Sequence, residues 1–250
     1  MTLPSLSRLV VFLVLLFAPV EAGRAQTFDP NQAQTASRGH IVAFGLSDEQ
    51  NVFHSEATRA AAILAQYYGR GVPPLVYTNT RSSSKATVAN LRVALARAAA
   101  RMDRENDVLF LFLTSHGSRE GVALKAGRRV GVLTPAQLGA LLRETGARNK
   151  VLIISACFSG VFLPLAEPGT LVITAADATH PSFGCEATAT WTFFGRAFFR
   201  EAIPQTENLR EAFVLARSSV LARERKEGFE PSNPQMAGGQ SFSARLRAAR

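Results

Sequence analysis

Two runs of apolar residues constrain the fold of this chain more than any other feature. Val108–Thr114 and residues 151–155 are apolar at almost every position rather than at every second one. A strand of this kind must be covered on both faces, which is the situation in a parallel sheet packed between two layers of helices. The sequence therefore predicts a doubly wound α/β domain.

The rest of the chain alternates predicted strands and helices. Strands are expected over residues 40–45, 75–78, 108–114, 151–155 and 171–175. Helices are expected over residues 55–68, 84–102, 134–144, 192–200 and 208–225, and a short edge strand within 228–239. This order predicts a mostly parallel sheet with helices on both faces.

The first 25 residues have the layout of a secretory signal peptide. Arg8 precedes an apolar core over residues 9–20, and small residues follow at Ala22 and Ala25. The core is short for a membrane span, and an uncleaved anchor is the alternative interpretation. We predict a signal peptide (residues 1–25), a linker (26–38), one domain (39–240) and a basic tail (241–250). The mature protein would be exported, periplasmic or secreted, without a membrane span.

Composition narrows the classes of partner and cofactor. The formal net charge of +9 favours acidic partners or anionic headgroups, although a solvated basic surface is the simpler interpretation. No nucleic-acid motif, no glycine-rich phosphate loop and no His/Cys pair with metal-ligand spacing stands in the sequence. We therefore predict no metal, no cofactor and no nucleic-acid partner, and the sequence does not indicate an oligomeric state.

A candidate nucleophile and a candidate base follow the two apolar runs. His116 and Gly117 follow the first run, and Cys157 follows the second. The carboxyl ends of neighbouring parallel strands meet at one edge of a sheet, so these residues would lie close together. An imidazole can accept the thiol proton and later protonate a leaving amine. The backbone N–H groups of Gly117 and Cys157 are candidates for an oxyanion hole.

The second cysteine offers a competing interpretation. Cys157 and Cys185 are the only cysteines, and an exported protein could join them in a disulfide. That bond would disable Cys157 as a nucleophile. The alternative, which we favour, is a free Cys157 with Cys185 as a small packed residue.

Two motifs resemble the signatures of the legumain family of cysteine peptidases. They are Thr-Ser-His-Gly at residues 114–117 and Ser-Ala-Cys-Phe-Ser-Gly at residues 155–160, and Cys157 follows His116 by 41 positions. Residues 173–176 and Trp191 add to the likeness. The resemblance implies a caspase-hemoglobinase-like fold and a compact bacterial type of member. The family also includes the catalytic subunit of the glycosylphosphatidylinositol transamidase.

The resemblance also implies roles for individual residues. Cys157 would be the nucleophile, His116 its base, and the amides of Gly117 and Cys157 the oxyanion hole. Asn51 would match the family's asparagine that orients the catalytic histidine, and a helix cap is the other interpretation of that residue. The implied activity is that of a cysteine endopeptidase acting on proteins or peptides.

The specificity pocket departs from the family pattern. Members that cleave after asparagine use one arginine and two acids, and the corresponding positions here are Phe53, Ser155 and Thr190. A buried amide would lack its partners, so we expect a small or apolar residue before the scissile bond. Two alternatives stay open: a transpeptidase or transamidase using the same site, and a catalytically silent caspase-like binding module.

Overall fold

The computed structural model describes residues 37–186, 188–206 and 208–241. The predicted signal peptide, most of the linker and all of the basic tail except Ser241 lie outside these ranges. Within them, no helix is both long enough and apolar enough to span a membrane.

Ten strands in the described part of the chain form two sheets. They are β1 (Gly39–Gly45), β2 (Leu75–Thr80), β3 (Ser83–Ser84), β4 (Val108–Thr114), β5 (Gly117–Ser118), β6 (Gly121–Ala126), β7 (Arg129–Leu133), β8 (Asn149–Ser155), β9 (Thr170–Thr174) and β10 (Gln235–Gly238). The larger sheet has the order β10-β9-β8-β4-β1-β2-β3, and β5-β6-β7 form a small antiparallel sheet. In the larger sheet β1, β2, β4, β8 and β9 are parallel, while β3 and β10 pair antiparallel at the two edges.

Helices cover both faces of the larger sheet. The α-helices are α1 (Asn51–Tyr68), α2 (Val88–Ala99), α3 (Pro135–Glu144), α4 (Phe193–Gly195) and α5 (Leu209–Glu227). A 3-10 helix spans Ser159–Leu165, and a π-helical turn (Arg196–Ala202) and a 3-10 turn (Ile203–Gln205) continue α4. Alternate residues of β4 pack into opposite cores: Phe110 joins the core under α1 and α5, and Leu111 joins the core under α2 and α3. The prediction of a parallel sheet buried on both faces is confirmed.

Helix boundaries follow from capping residues. Thr134 and Gln137 form a capping box with Pro135 in the first turn, as expected for a helix that begins there. The helix predicted from residue 84 instead begins at Val88, because the Thr87 side chain accepts the N–H of Asn90. The first helix begins at Asn51, four residues earlier than predicted. This early start brings Gln50 and Phe53 to the edge of the sheet where the site lies.

Candidate active site

The register between β4 and β8 brings the candidate base and nucleophile together. Thr114 pairs with Ser155, so His116 and Cys157 each lie two residues beyond a paired position. The Ser115 N–H continues the pairing by donating to the Ser155 carbonyl oxygen at 3.2 Å. His116 and Cys157 therefore leave the sheet side by side at its carboxyl edge, as the sequence predicted.

Gly117 lies directly against the backbone of the nucleophile. A Cβ at this position would stand 2.0 Å from the Cys157 carbonyl oxygen, a distance that no side chain can occupy. The absence of a side chain is therefore required for the close approach of the two chain segments. This backbone contact between Gly117 and Cys157 keeps their amides as candidates for an oxyanion hole.

The Cys157 thiol contacts one residue of the segment that follows β9. Cys157 is half-buried, and its Sγ lies 3.3 Å from both the backbone nitrogen and the carbonyl oxygen of Ser182. The next residue, Phe158, has a φ of 55°, in the left-handed region that non-glycine residues rarely occupy. The Phe158 N–H donates to the His180 carbonyl oxygen at 2.9 Å. The strained turn that presents the thiol is thus held by the segment after β9.

A carboxylate organises that segment. Asp177 accepts hydrogen bonds from the Thr179 N–H at 2.7 Å and the Asn233 side chain at 3.2 Å, and its Oδ2 lies 2.7 Å from His180 Nδ1. Partial desolvation opposes ionisation, but these hydrogen bonds together lower the pKa of Asp177 to about 2. The charged form of Asp177 therefore stabilises the turn that contacts Cys157.

Two residues just before α1 contact the His116 imidazole. Its Nε2 lies 2.6 Å from Gln50 Oε1 and 3.5 Å from a carboxylate oxygen of Glu49. Both partners are acceptors in this geometry, so Nε2 carries the hydrogen and Nδ1 is the nitrogen that can accept a proton. The ring edge of Phe53 packs on the imidazole with centroids 4.9 Å apart, which fixes the ring plane.

The comparisons with known proteins agree with this geometry. The peptidase C13 family matches residues 39–243. The chain belongs to the peptidase C13 family. This confirms the resemblance to legumain-type peptidases. The crystal structure of caspase-1 from Spodoptera frugiperda is similar in fold, with a TM-score of 0.56 and 16% identity over 81% of this chain and 87% of that chain. No curated protein matches the chain.

In this C13 family member, the position expected to orient the histidine is shifted by one residue. Asn51 is exposed and is the first residue of α1, whereas the side chain that hydrogen-bonds to His116 belongs to Gln50. Asn51 does not occupy the cap position either, because that position is Gln50. The structure places Gln50, rather than Asn51, against His116, and the orienting role itself stays a prediction.

The three positions expected to line a specificity pocket do not form one surface. Phe53 and Ser155 are only 1% and 2% exposed, so neither is available to touch a substrate side chain. Phe53 packs on His116, and the Ser155 hydroxyl lies 3.0 Å from the Thr192 hydroxyl. Thr190 alone is exposed, and it lines a separate cavity beside Trp191. The assignment of Phe53 and Ser155 to substrate binding stays a prediction, which their burial in this structure does not support.

A buried carboxylate that the sequence analysis missed lies beneath the site. Glu56 is fully buried on α1, one turn after Phe53. Its Oε1 accepts the N–H and the hydroxyl of Thr192 at 3.2 and 2.6 Å, and its Oε2 accepts the hydroxyl of Thr114. Burial raises the pKa of Glu56 although these hydrogen bonds oppose the shift. A Cβ on Gly195 would collide with the carboxylate at 1.8 Å, so the glycine makes room for it.

Cys185 is a free thiol in this structure, as is Cys157. Cys185 is half-buried, and burial raises the pKa of its thiol, with smaller contributions from the charges of Cys157, Glu186 and Glu56. The described residues contain no group of three or more His, Cys, Asp or Glu side chains that could hold a metal ion.

Proposed function

We propose that this C13 family member is an exported, thiol-dependent endopeptidase that forms an acyl-enzyme on Cys157. The observation that supports this most directly is the shared strand-end register, which brings His116, Gly117 and Cys157 to one point. A thiol, an imidazole and two backbone amides are the groups that acyl transfer needs.

The reaction follows from the orientation of the imidazole. Nδ1 of His116 takes the thiol proton, and the Cys157 sulfur attacks the carbonyl carbon of the scissile bond. The oxyanion forms beside the Gly117 and Cys157 amides. The carbon–nitrogen bond then breaks as His116 protonates the leaving amine. Water, deprotonated by His116, adds to the thioester, and the carboxylic acid product leaves as the thiol reforms.

We also propose that the residue before the scissile bond is small or apolar. The positions that would carry pocket charges hold Phe53, Ser155 and Thr190. The nearest buried carboxylate, Glu56, already accepts three hydrogen bonds from Thr114 and Thr192, which leaves it little capacity to bind an amide side chain.

The experiment is cleavage of a diverse peptide library by the full chain under reducing conditions, compared with Cys157→Ala. Cys185→Ala is the matched control, since it removes one half-buried thiol from the same region. We expect cleavage to vanish in the Cys157 variant and to persist in the control. Equal cleavage by both variants would overturn the proposal, as would peptide binding by the folded wild type without turnover. Dominant cleavage after asparagine would refute the specificity.

Two further measurements complete the test. Adding a glycine-amide peptide to the reaction separates hydrolysis from aminolysis, because an amine that intercepts the thioester yields a ligated product. Amino-terminal sequencing of protein recovered from an expressing bacterium tests export. We expect mature chains that begin after Ala22 or Ala25, and an intact amino terminus would contradict cleavage.

A further inference from the structure

A cavity lined by arginines opens beside the segment that contacts the nucleophile. Its volume is about 300 Å³, and its lining includes Gly184, Thr190, Trp191, Arg196, Arg200 and Arg223. We call it the arginine cavity. It is separate from the cluster of His116, Cys157 and Gly117, and the peptidase reaction described above makes no use of it.

The positive charge of the arginine cavity is only partly neutralised. Arg196 forms an ion pair with Glu201 at 2.8 Å. Arg223 is half-buried, and its guanidinium carbon lies 5.1 Å from the ring centroid of Phe193. Within residues 37–186, 188–206 and 208–241, neither Arg200 nor Arg223 forms an ion pair with an acid.

Acids near the cavity are fewer than its arginines. Glu186 is the acidic residue among the lining residues, and it is exposed. Glu201 lies on the π-helical turn and already accepts a hydrogen bond from Arg196. The charge of Arg223 also helps to lower the pKa of Glu201, but neither Arg200 nor Arg223 forms a close ion pair, and Arg223 is held over the Phe193 ring.

One chain segment connects the nucleophile to the cavity. Ser182 contacts the Cys157 thiol, and Gly184, two residues further along, lines the cavity. Two extended residues span about 7 Å. The segment begins after β9 and returns at Thr192, which hydrogen-bonds to Glu56 of α1. Because the leaving amine must face His116, we expect the part of the substrate that stays on Cys157 to extend along Ser182 and Gly184 toward the cavity.

We propose that the arginine cavity binds an acidic side chain of the substrate, about two to four residues before the scissile bond. Guanidinium groups match carboxylates in both charge and geometry, and Arg223 is pre-oriented over Phe193. Trp191 supplies an apolar wall for the methylene groups of a glutamate. This inference rests on the proposed peptidase function. It adds a second determinant of specificity to the small or apolar residue proposed before the scissile bond.

The first test is cleavage of matched peptides by the full chain. Each pair has glutamate or glutamine at one position two, three or four residues before the cleaved bond. We expect about a tenfold higher kcat/KM for the glutamate peptide at one of these positions. Arg223→Gln and Arg200→Gln should each reduce this preference. Arg217→Gln is the matched control, because Arg217 is exposed on the same helix and does not line the cavity.

The second test does not depend on turnover. Fluorescence anisotropy measures the binding of the same glutamate and glutamine sequences, ending at the cleavage position, to the Cys157→Ala chain. We expect tighter binding of the glutamate peptide, lost with Arg223→Gln and weakened by salt. Equal affinity of the two peptides, or a preference that persists in Arg223→Gln, overturns the cavity proposal. If the wild type cleaves no peptide but the Cys157→Ala chain still binds the glutamate peptide more tightly, the peptidase function is refuted. The anion site in the cavity would then still be supported.

Discussion

Gln50 Oε1 lies 2.6 Å from His116 Nε2, and this contact decides which imidazole nitrogen carries the hydrogen. The amide oxygen accepts a hydrogen from Nε2, so Nδ1 is left unprotonated and can act as the base. Phe53 fixes the plane of the same ring from α1. The beginning of one helix thus sets both the tautomer and the orientation of the candidate base.

Replacing Gln50 with alanine should lower kcat more than it raises KM. The imidazole would lose the partner that fixes its tautomer, and we expect kcat to fall by about tenfold to a hundredfold. Asn51→Ala is the matched control, since Asn51 is exposed at the adjacent position. Steady-state kinetics on one cleaved peptide measures both constants. If Asn51→Ala proved as damaging as Gln50→Ala, the assignment of the orienting role to Gln50 would be wrong.

Adding a single methyl group to Gly117 should abolish most activity. The new Cβ would meet the Cys157 carbonyl oxygen at 2.0 Å, so the two segments must separate and the paired amides with them. We expect Gly117→Ala to reduce kcat by about a hundredfold or more, comparable to losing an oxyanion-hole donor. Gly131→Ala is the control, because its Cβ would meet only Leu124 side-chain atoms at 3.9 Å. Similar losses in both variants would contradict this explanation.

The sequence was sufficient to predict where the reactive residues lie. The apolar runs before His116 and Cys157 can only be buried strands, and parallel strands end at a common edge, so their juxtaposition follows from burial pattern and topology. The helix start at Thr134–Pro135 could also be predicted from the sequence, because its capping signals are local.

Contacts set by tertiary structure could not be predicted in the same way. Glu56 looks like an ordinary helical glutamate until Thr114 and Thr192, 58 and 136 residues away, surround it. Choosing Gln50 over Asn51 required the helix start to within one residue, and the sequence pattern placed that start at residue 55. One available signal was the position of Glu56 on the same helical face as Phe53 and Ala60, which marks an acid on an apolar stripe.

Removing the Asp177 carboxylate should destabilise the protein in a pH-dependent way. The native pKa of Asp177 is lowered to about 2, so the carboxylate contributes stability above its unfolded pKa, near 3.8. That contribution disappears as the pH falls through about 2. We expect Asp177→Asn to reduce the free energy of unfolding by on the order of 1 kcal/mol at neutral pH, after allowance for solvent screening, and by progressively less in acid. Urea denaturation across this pH range measures the difference. A constant difference between the two proteins would mean that the charge of Asp177 has no role.

Two substitutions of Glu56 should affect stability in different ways. Glu56→Ala leaves the buried hydroxyls of Thr114 and Thr192 without their acceptor, and we expect the free energy of unfolding to fall by roughly 3 kcal/mol or more.

Glu56→Gln keeps the shape and an acceptor oxygen but carries no charge. Burial raises the pKa of Glu56 above its unfolded value of 4.5, so the native state holds its proton more tightly. Wild-type stability from this group is therefore greatest below pH 4.5 and falls as the pH rises through the native pKa. Unfolding free energies measured between pH 4.5 and 8 should decline less steeply for Glu56→Gln than for the wild type. Parallel pH profiles for the two proteins would show that Glu56 stays ionised in its buried position.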